Sequence, residues 1–135
     1  MAKLTLKSAK KKRWTLTSQY IRRRAADPHT GECNCVTCGA TKHYKELQAG
    51  HFIPQAQGNA VKWDFRNIHP QCYRCNINLG GNGAEYYPFM LNEYGEEVIS
   101  ELRRLSNTTV KITINEHKEA IEDLQNILRE LDNDQ

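Results

Sequence analysis

With 135 residues, 39% of them hydrophobic and 26% charged, the chain suits one polar globular domain with an added helical arm. No apolar run is long enough to span a bilayer, and the basic N-terminus lacks the apolar stretch of a secretion signal, so a membrane protein is excluded and a cytoplasmic one is expected. In that reducing compartment the five cysteines argue for a bound metal rather than for disulfides.

The net charge of +3 hides an asymmetry. Lys3, Lys7, Lys10, Lys11, Lys12, Arg13, Arg22, Arg23 and Arg24 precede the first acid. From Asn115 onward, seven acids face only Lys118 and Arg129. A concentrated positive segment attracts a polyanion such as nucleic acid, or it is a solvated tail that aids solubility. Charge alone does not choose between the two.

In chain order, residues 1–13 read as a mobile Lys-rich arm. Thr17 or Ser18 is a candidate cap for a short helix through Ala26, stopped by Asp27-Pro28 and Gly31. Residues 32–82 are dense in Cys, His, Gly and Asn, the composition of a metal-organised module without a conventional core. Inside it, Leu47, Ala49 and His51 alternate with Gln48 and Gly50, a short strand ending near Phe52. Pro54 and Gly58-Asn59 mark a loop. Arg66 to His69 returns as a second strand, ended by Pro70. Tyr73 to Leu79 is helix-compatible, and Gly80-Gly81 stops it.

After Gly83 the pattern turns helical, with Tyr94, Val98, Ile99, Leu102 and Leu105 on one stripe. Val110, Ile112 and Ile114 then alternate with Lys111 and Thr113 in a linker. Asn115 is the candidate N-cap of a last helix, with Glu116 and Glu119 in its first turn. There His117, Ile121, Leu124, Leu128 and Leu131 step by 4, 3, 4 and 3. Such a seam packs on its own domain or zips two copies together. The expected division is a basic arm (1–16), a central module (17–92) and C-terminal helices (93–135).

The cysteines follow C-x2-C-x33-C-x2-C. Each CxxC turn aims two thiolates at one point, and Cys35, Cys38, Cys72 and Cys75 complete a tetrahedral sulfur site suited to zinc. Four thiolates leave no open position, so this zinc is structural, and its removal should unfold the module. Gly39 fits a knuckle turn. Cys33 is left over, as a competing ligand to Cys35 or a free thiol.

Between the knuckles, His51-Phe52-Ile53-Pro54 and Asn67-Ile68-His69-Pro70-Gln71-Cys72-Tyr73-Arg74-Cys75-Asn76 match the order of the HNH, or ββα-metal, nucleases position by position. The chemistry such a site needs can be stated. A neutral imidazole can deprotonate water, so His51 is the candidate general base. A single divalent ion, Mg2+ or Mn2+, can stabilise the charge on phosphorus and the leaving oxygen. Asn76 would offer it an oxygen, and Asn67 would pin the loop and hold the His51 backbone.

A closer resemblance rests on Cys35-Val36-Thr37-Cys38-Gly39, Ala49-Gly50-His51-Phe52, Asn67 to Asn76 and Gly81-Asn82-Gly83-Ala84-Glu85-Tyr86, with Trp14 and Tyr20-Ile21-Arg22 upstream. These segments resemble the NinG (Rap) recombination proteins of lambdoid phages over roughly residues 14–105. More distantly, the frame is similar to that of the phage endonuclease VII resolvases. The resemblance implies an α+β, zinc-stabilised ββα-metal module flanked by helices. It implies a metal-dependent, structure-specific DNA endonuclease acting on Holliday junctions and D-loops in the host cytoplasm, with a phage recombinase as a possible partner.

Many HNH enzymes carry an Asp just before the His, where it binds the metal. Here that position is Gly50, as in the NinG proteins. His69 and Glu85 are then the candidates for the second metal ligand, and Asp64 is a third. Phosphate contacts are expected from Lys10, Lys11, Lys12, Arg13, Arg22, Arg23, Arg24, Lys42, Lys45, Lys62, Arg66 and Arg74. A two-fold substrate suggests a homodimer. Two other readings remain: a non-catalytic zinc-knuckle DNA-binding factor, favoured by Gly50, and a sequence-specific HNH nuclease.

Overall fold

The computed structural model describes residues 4–54 and 59–133. Lys3 and Gly58, named above, and Asp134, the last of the seven C-terminal acids, lie outside them. Two compact units divide the chain: Met1–Tyr20 with Lys111–Gln135, and Ile21–Val110. Among the described residues no helix is long and apolar enough to cross a membrane.

The first unit holds most of α1 (Leu6–Arg24) and all of α4 (Ile114–Asn133). The helix begins where a mobile arm was expected. Thr5 and Ser8 cap it reciprocally: the Ser8 amide donates to Thr5 Oγ1 at 3.1 Å and the Thr5 amide to Ser8 Oγ at 3.0 Å. Lysine is a good helix former, so a Lys-rich run is compatible with helix once one face has a partner. Ala9, Arg13 and Thr17, spaced by four, supply that face, with Ala9 and Thr17 buried and Arg13 half-buried. Thr17 is therefore no cap; its hydroxyl donates to the Arg13 carbonyl at 2.7 Å.

In α4 the cap is Thr113 rather than Asn115. Thr113 Oγ1 accepts from the Glu116 amide at 3.1 Å, and Glu116 Oε1 accepts from the Thr113 amide at 3.3 Å, a capping box. His117, Ile121, Leu124 and Leu128 of the seam are buried within the single chain. Arg13 reaches His117 Nδ1 at 3.2 Å.

The second unit contains two two-stranded antiparallel ladders. β1 (Glu32–Asn34) pairs with β2 (Thr41–His43), framing the first CxxC turn. β3 (Gln48–His51) pairs with β4 (Ile68–Gln71), in a register that sets Gly50 opposite His69 and His51 opposite Ile68. Pro70 does not end β4, as had been expected, but lies inside it opposite Ala49. Its carbonyl faces away from β3 and accepts from the Val36 amide at 3.0 Å, so no ladder bond needs the missing proline N–H.

β4 leads directly into a single π-helical turn (Arg74–Asn78), closed by Gly80 and Gly81 in positive φ. The later stripe is split between α2 (Gly83–Glu93) and α3 (Glu96–Ser106), with the break at Tyr94-Gly95.

Residues 32–82 contribute Ile53 and Val61 to a conventional core that α2 and α3 complete, and otherwise cluster around their cysteines. Ile53, Val61, Tyr86, Met90, Ile99 and Leu102 form one buried cluster, and Cys33, Cys35, Leu47, Cys72 and Cys75 a separate one. Burying a Leu or Ile contributes on the order of 2 kcal/mol, so the first cluster stabilises its half without metal.

Candidate functional site

The two CxxC turns meet. The Sγ atoms of Cys35, Cys38, Cys72 and Cys75 all lie within 4.8 Å of one another, with Cys38 and Cys72 3.7 Å apart. Four thiolates about 2.3 Å from a tetrahedral zinc would be separated by roughly 3.8 Å, so the cluster fits that ion. The local chain builds this geometry. The Cys35 amide donates to the Ala40 carbonyl and the Gly39 amide to the Cys35 carbonyl, both at 2.9 Å. Gly39 turns the corner at φ +79°, a conformation that a side chain would strain.

Burial opposes ionisation of Cys35, yet the Thr37 hydroxyl and neighbouring amides outweigh it and bring the thiol down to about 6. Cys33 stands outside the four-sulfur group, and its thiol is placed against the Arg22 carbonyl at 3.8 Å. Of its two readings, the structure supports the free thiol.

His51 ends β3, half-buried. Its Nε2 lies 2.9 Å from the Lys62 carbonyl. A carbonyl only accepts, so Nε2 carries the proton. Burial lowers the pKa of His51, helped by the Lys62 charge and opposed by the hydrogen bond to the Lys62 carbonyl. The ring is therefore neutral near pH 7 with its lone pair on Nδ1, the form a general base requires.

Asn67 is fully buried and pins the loop. Its Oδ1 accepts from the Ile53 amide at 2.9 Å, and its Nδ2 donates to the carbonyls of Ile53 (3.1 Å) and Val61 (3.2 Å). The side chain thus holds Ile53 rather than the His51 backbone that had been expected. The Asn67 carbonyl holds Phe52, whose amide is 2.8 Å away.

His69, expected as a possible metal ligand, commits both ring nitrogens to phenols. Tyr86 Oη donates to the Gly50 carbonyl at 2.8 Å, so it accepts from His69 Nδ1–H at 3.1 Å. His69 Nε2 then accepts from Tyr94 Oη at 2.7 Å. Burial, with a smaller contribution from the Arg24 charge, pushes the His69 pKa down to about 3. This neutral, buried chain fixes the carbonyl next to His51, a role that the sequence did not suggest for either phenol. Tyr86 stood out only as the end of the Gly81–Tyr86 segment, and Tyr94 only as the head of an amphipathic stripe.

The other candidate ligands are also placed elsewhere. Glu85 is exposed in the first turn of α2, and Asp64 is paired with Arg66 at 2.8 Å.

Asn76 stands on the π-helical turn directly after Cys75. Its Nδ2 donates to Gln48 Oε1 at 2.8 Å, and its Oδ1 would lie 2.9 Å from a Cβ at Gly50. The second knuckle therefore sets Asn76 against the residue that precedes His51.

The basic residues divide. Arg22 binds the Tyr44 carbonyl, Arg24 the carbonyls of Phe65 and Ile68, and Arg66 the carboxylates of Asp64 and Glu101. Arg13 is held at His117, Lys62 Nζ lies over the Trp63 ring at 4.9 Å, and Arg23 is half-buried. Lys10, Lys11, Lys12, Lys42, Lys45 and Arg74 are exposed to solvent. Beside Arg74, Tyr73 is 57% and Ile77 52% exposed.

Fold and site together define an α+β protein with small antiparallel ladders, organised at one end around four cysteines that can hold a structural metal. The pattern of the family described as "Bacteriophage Lambda NinG protein" matches residues 2–134, and the chain belongs to this NinG family. It is similar to the "Protein ninG" of Escherichia phage lambda, 31% identical over 73% of this chain and 48% of the relative. To that of Escherichia phage 933W it is 34% identical over 54% of this chain and 36% of the relative. For Salmonella phage P22 the values are 32%, 50% and 33%. The alignments thus span half or less of the length of these curated relatives. No solved structure matches.

Proposed function

We propose that the chain carries a metal-dependent, structure-specific DNA endonuclease site of the HNH type, acting on branched recombination intermediates such as Holliday junctions and D-loops. The observation that carries this reading is the succession of β3, β4 and a helical turn. It brings Asn76 beside Gly50 while His51, at the end of the same strand, is kept neutral by burial and has its proton fixed on Nε2 by the Lys62 carbonyl. The ordered spacing in the sequence and the place of Asn76 beside Gly50 both support this reading.

In this reading His51 Nδ1 takes the proton from a water attacking phosphorus. Asn67 keeps the loop after His51 in place, and the Cys35, Cys38, Cys72 and Cys75 cluster fixes the turn that carries Asn76. A divalent ion, Mg2+ or Mn2+, would stabilise the charge on the phosphate and the leaving 3′ oxygen. The exposed Tyr73 and Ile77 beside Arg74 offer a stacking surface and a cation on that turn, as unpaired bases at a branch require. Two cuts in one junction call for two copies, and with the α4 seam buried in its own chain their contact falls to another surface.

The test is incubation of zinc-loaded protein with a synthetic four-way junction and with linear duplex of the same sequence, in Mg2+, in Mn2+ and in EDTA. Cleavage near the branch that requires the divalent ion is the expected result. Binding without cleavage in either metal would favour the DNA-binding factor, a reading supported by the missing side chain at Gly50. Discrete cuts in linear duplex would favour a sequence-specific nuclease.

A further inference from the structure

Gln71 is the last residue of β4 and is fully buried. Its Nε2 donates to the Gly81 carbonyl at 2.9 Å and to Thr37 Oγ1 at 3.2 Å. The Gly81 carbonyl accepts only, so it fixes which end of the amide is nitrogen. Gln71 Oε1 is thereby turned inward, and among the described residues it meets no hydrogen-bond donor. A buried acceptor left so costs about 1–3 kcal/mol, and such a group calls for a reason.

The reason lies in what surrounds it. A Cβ at Gly50 would overlap Gln71 Oε1 and come within 2.9 Å of Asn76 Oδ1. Two amide oxygens therefore converge on the one place along β3 where the side chain is missing. Two acceptors brought to one place repel unless something positive lies near both. A hard divalent cation takes neutral amide oxygens as ligands.

We propose that Gln71 Oε1 and Asn76 Oδ1 are a pair of protein ligands for a divalent cation, and that Gly50 lacks a side chain because Gln71 fills its place. This rests on the divalent-ion nuclease reading and supplies the second ligand that His69, Glu85 and Asp64 do not. Gln71 also ties this pair to the knuckles, because the Thr37 hydroxyl that it donates to lies 3.3 Å from Cys35 Sγ. A site of two neutral oxygens binds weakly, which leaves room for a phosphate oxygen of the substrate to complete it.

A competing arrangement makes the opposite prediction. Turning both the Asn76 and Gln48 amides would let Asn76 Nδ2 donate to Gln71 Oε1, and no cation would be involved.

Mn2+ binding by the zinc-loaded full chain, read from loss of the free-ion electron paramagnetic resonance signal, separates the two without reference to cleavage. Gln71→Met keeps the volume and loses the oxygen; it should weaken Mn2+ binding about tenfold or more. Gln71→Glu adds a charge and should tighten it by a similar factor, since affinity follows ligand charge. Zinc content and circular dichroism check the fold of each variant, and Gln71→Glu carries the test alone if Gln71→Met does not fold. Unchanged Mn2+ binding in Gln71→Glu overturns the ligand pair while leaving the nuclease reading standing. Absence of both Mn2+ binding and junction cleavage in the unaltered chain overturns both.

Discussion

The two ends of the Ile21–Val110 unit are built on different physics. At one end Cys33, Cys35, Leu47, Cys72 and Cys75 cluster, with little apolar volume among them. At the other, Ile53, Val61, Tyr86, Met90, Ile99 and Leu102 make an ordinary hydrophobic core. The β3–β4 ladder belongs to the same unit, and the candidate site takes residues from both ends. Asn76 and Gln71 are set by the knuckles, whereas His51 and Gly50 are held by bonds to Lys62 and to Tyr86. Half of the site thus rests on the turns that carry the four cysteines, and half does not.

The largest effect should follow removal of that metal. Chelation, or Cys72→Ser, should cost roughly 5 kcal/mol or more, because structural zinc contributes folding free energy directly. The loss should be uneven. Hydrogen exchange should accelerate around Cys35–Ala40 and Cys72–Leu79, while amides of Tyr86, Met90 and Ile99 stay protected. Uniform loss of protection would mean that the two ends fold as one.

On the other side, Asn67→Ala removes three hydrogen bonds from a fully buried position. It should destabilise the chain by about 3 kcal/mol in denaturant titration while zinc stays bound in full. Tyr86→Phe is milder, about 2 kcal/mol, and should slow cleavage through kcat with KM unchanged, because it releases the Gly50 carbonyl and leaves the buried His69 Nδ1–H without its acceptor. A shift in KM alone would contradict that role.

Acid should reveal the same chain of bonds. His69 has a folded pKa near 3 against an ordinary value of 6.5, so the unfolded chain binds a proton that the folded one refuses. Stability from this group is therefore present above pH 6.5 and is lost as pH falls toward 3, by at most about 1.4 kcal/mol per unit. His69→Gln should flatten the profile of unfolding free energy against pH in that window. An unchanged slope would place the acid sensitivity elsewhere.

Much of this was legible in the sequence, for identifiable reasons. The cysteine pairing was readable because CxxC spacing is a local geometric constraint, and β3 because its alternation is unbroken from Leu47 to His51. The start of α1 was not, since like charges suggested disorder while the compensating face, Ala9, Arg13 and Thr17, contains only one apolar residue. Pro70 concealed the end of β4, because whether a proline breaks a strand depends on which edge its nitrogen faces. The buried chain of Tyr94, His69 and Tyr86 joins residues 25 apart in sequence and leaves no periodic trace. Gln71 gave no signal of its own, lying within a motif whose other letters drew the reading.

The most direct test of the central claim is His51→Ala measured beside the unaltered chain for three quantities: zinc content, affinity for a four-way junction, and cleavage rate in Mg2+ or Mn2+. Losing a general base should lower the rate on the order of 100- to 10,000-fold. Zinc content and junction affinity should be unchanged. Cleavage at the unaltered rate, or loss of zinc and binding along with cleavage, would contradict the account.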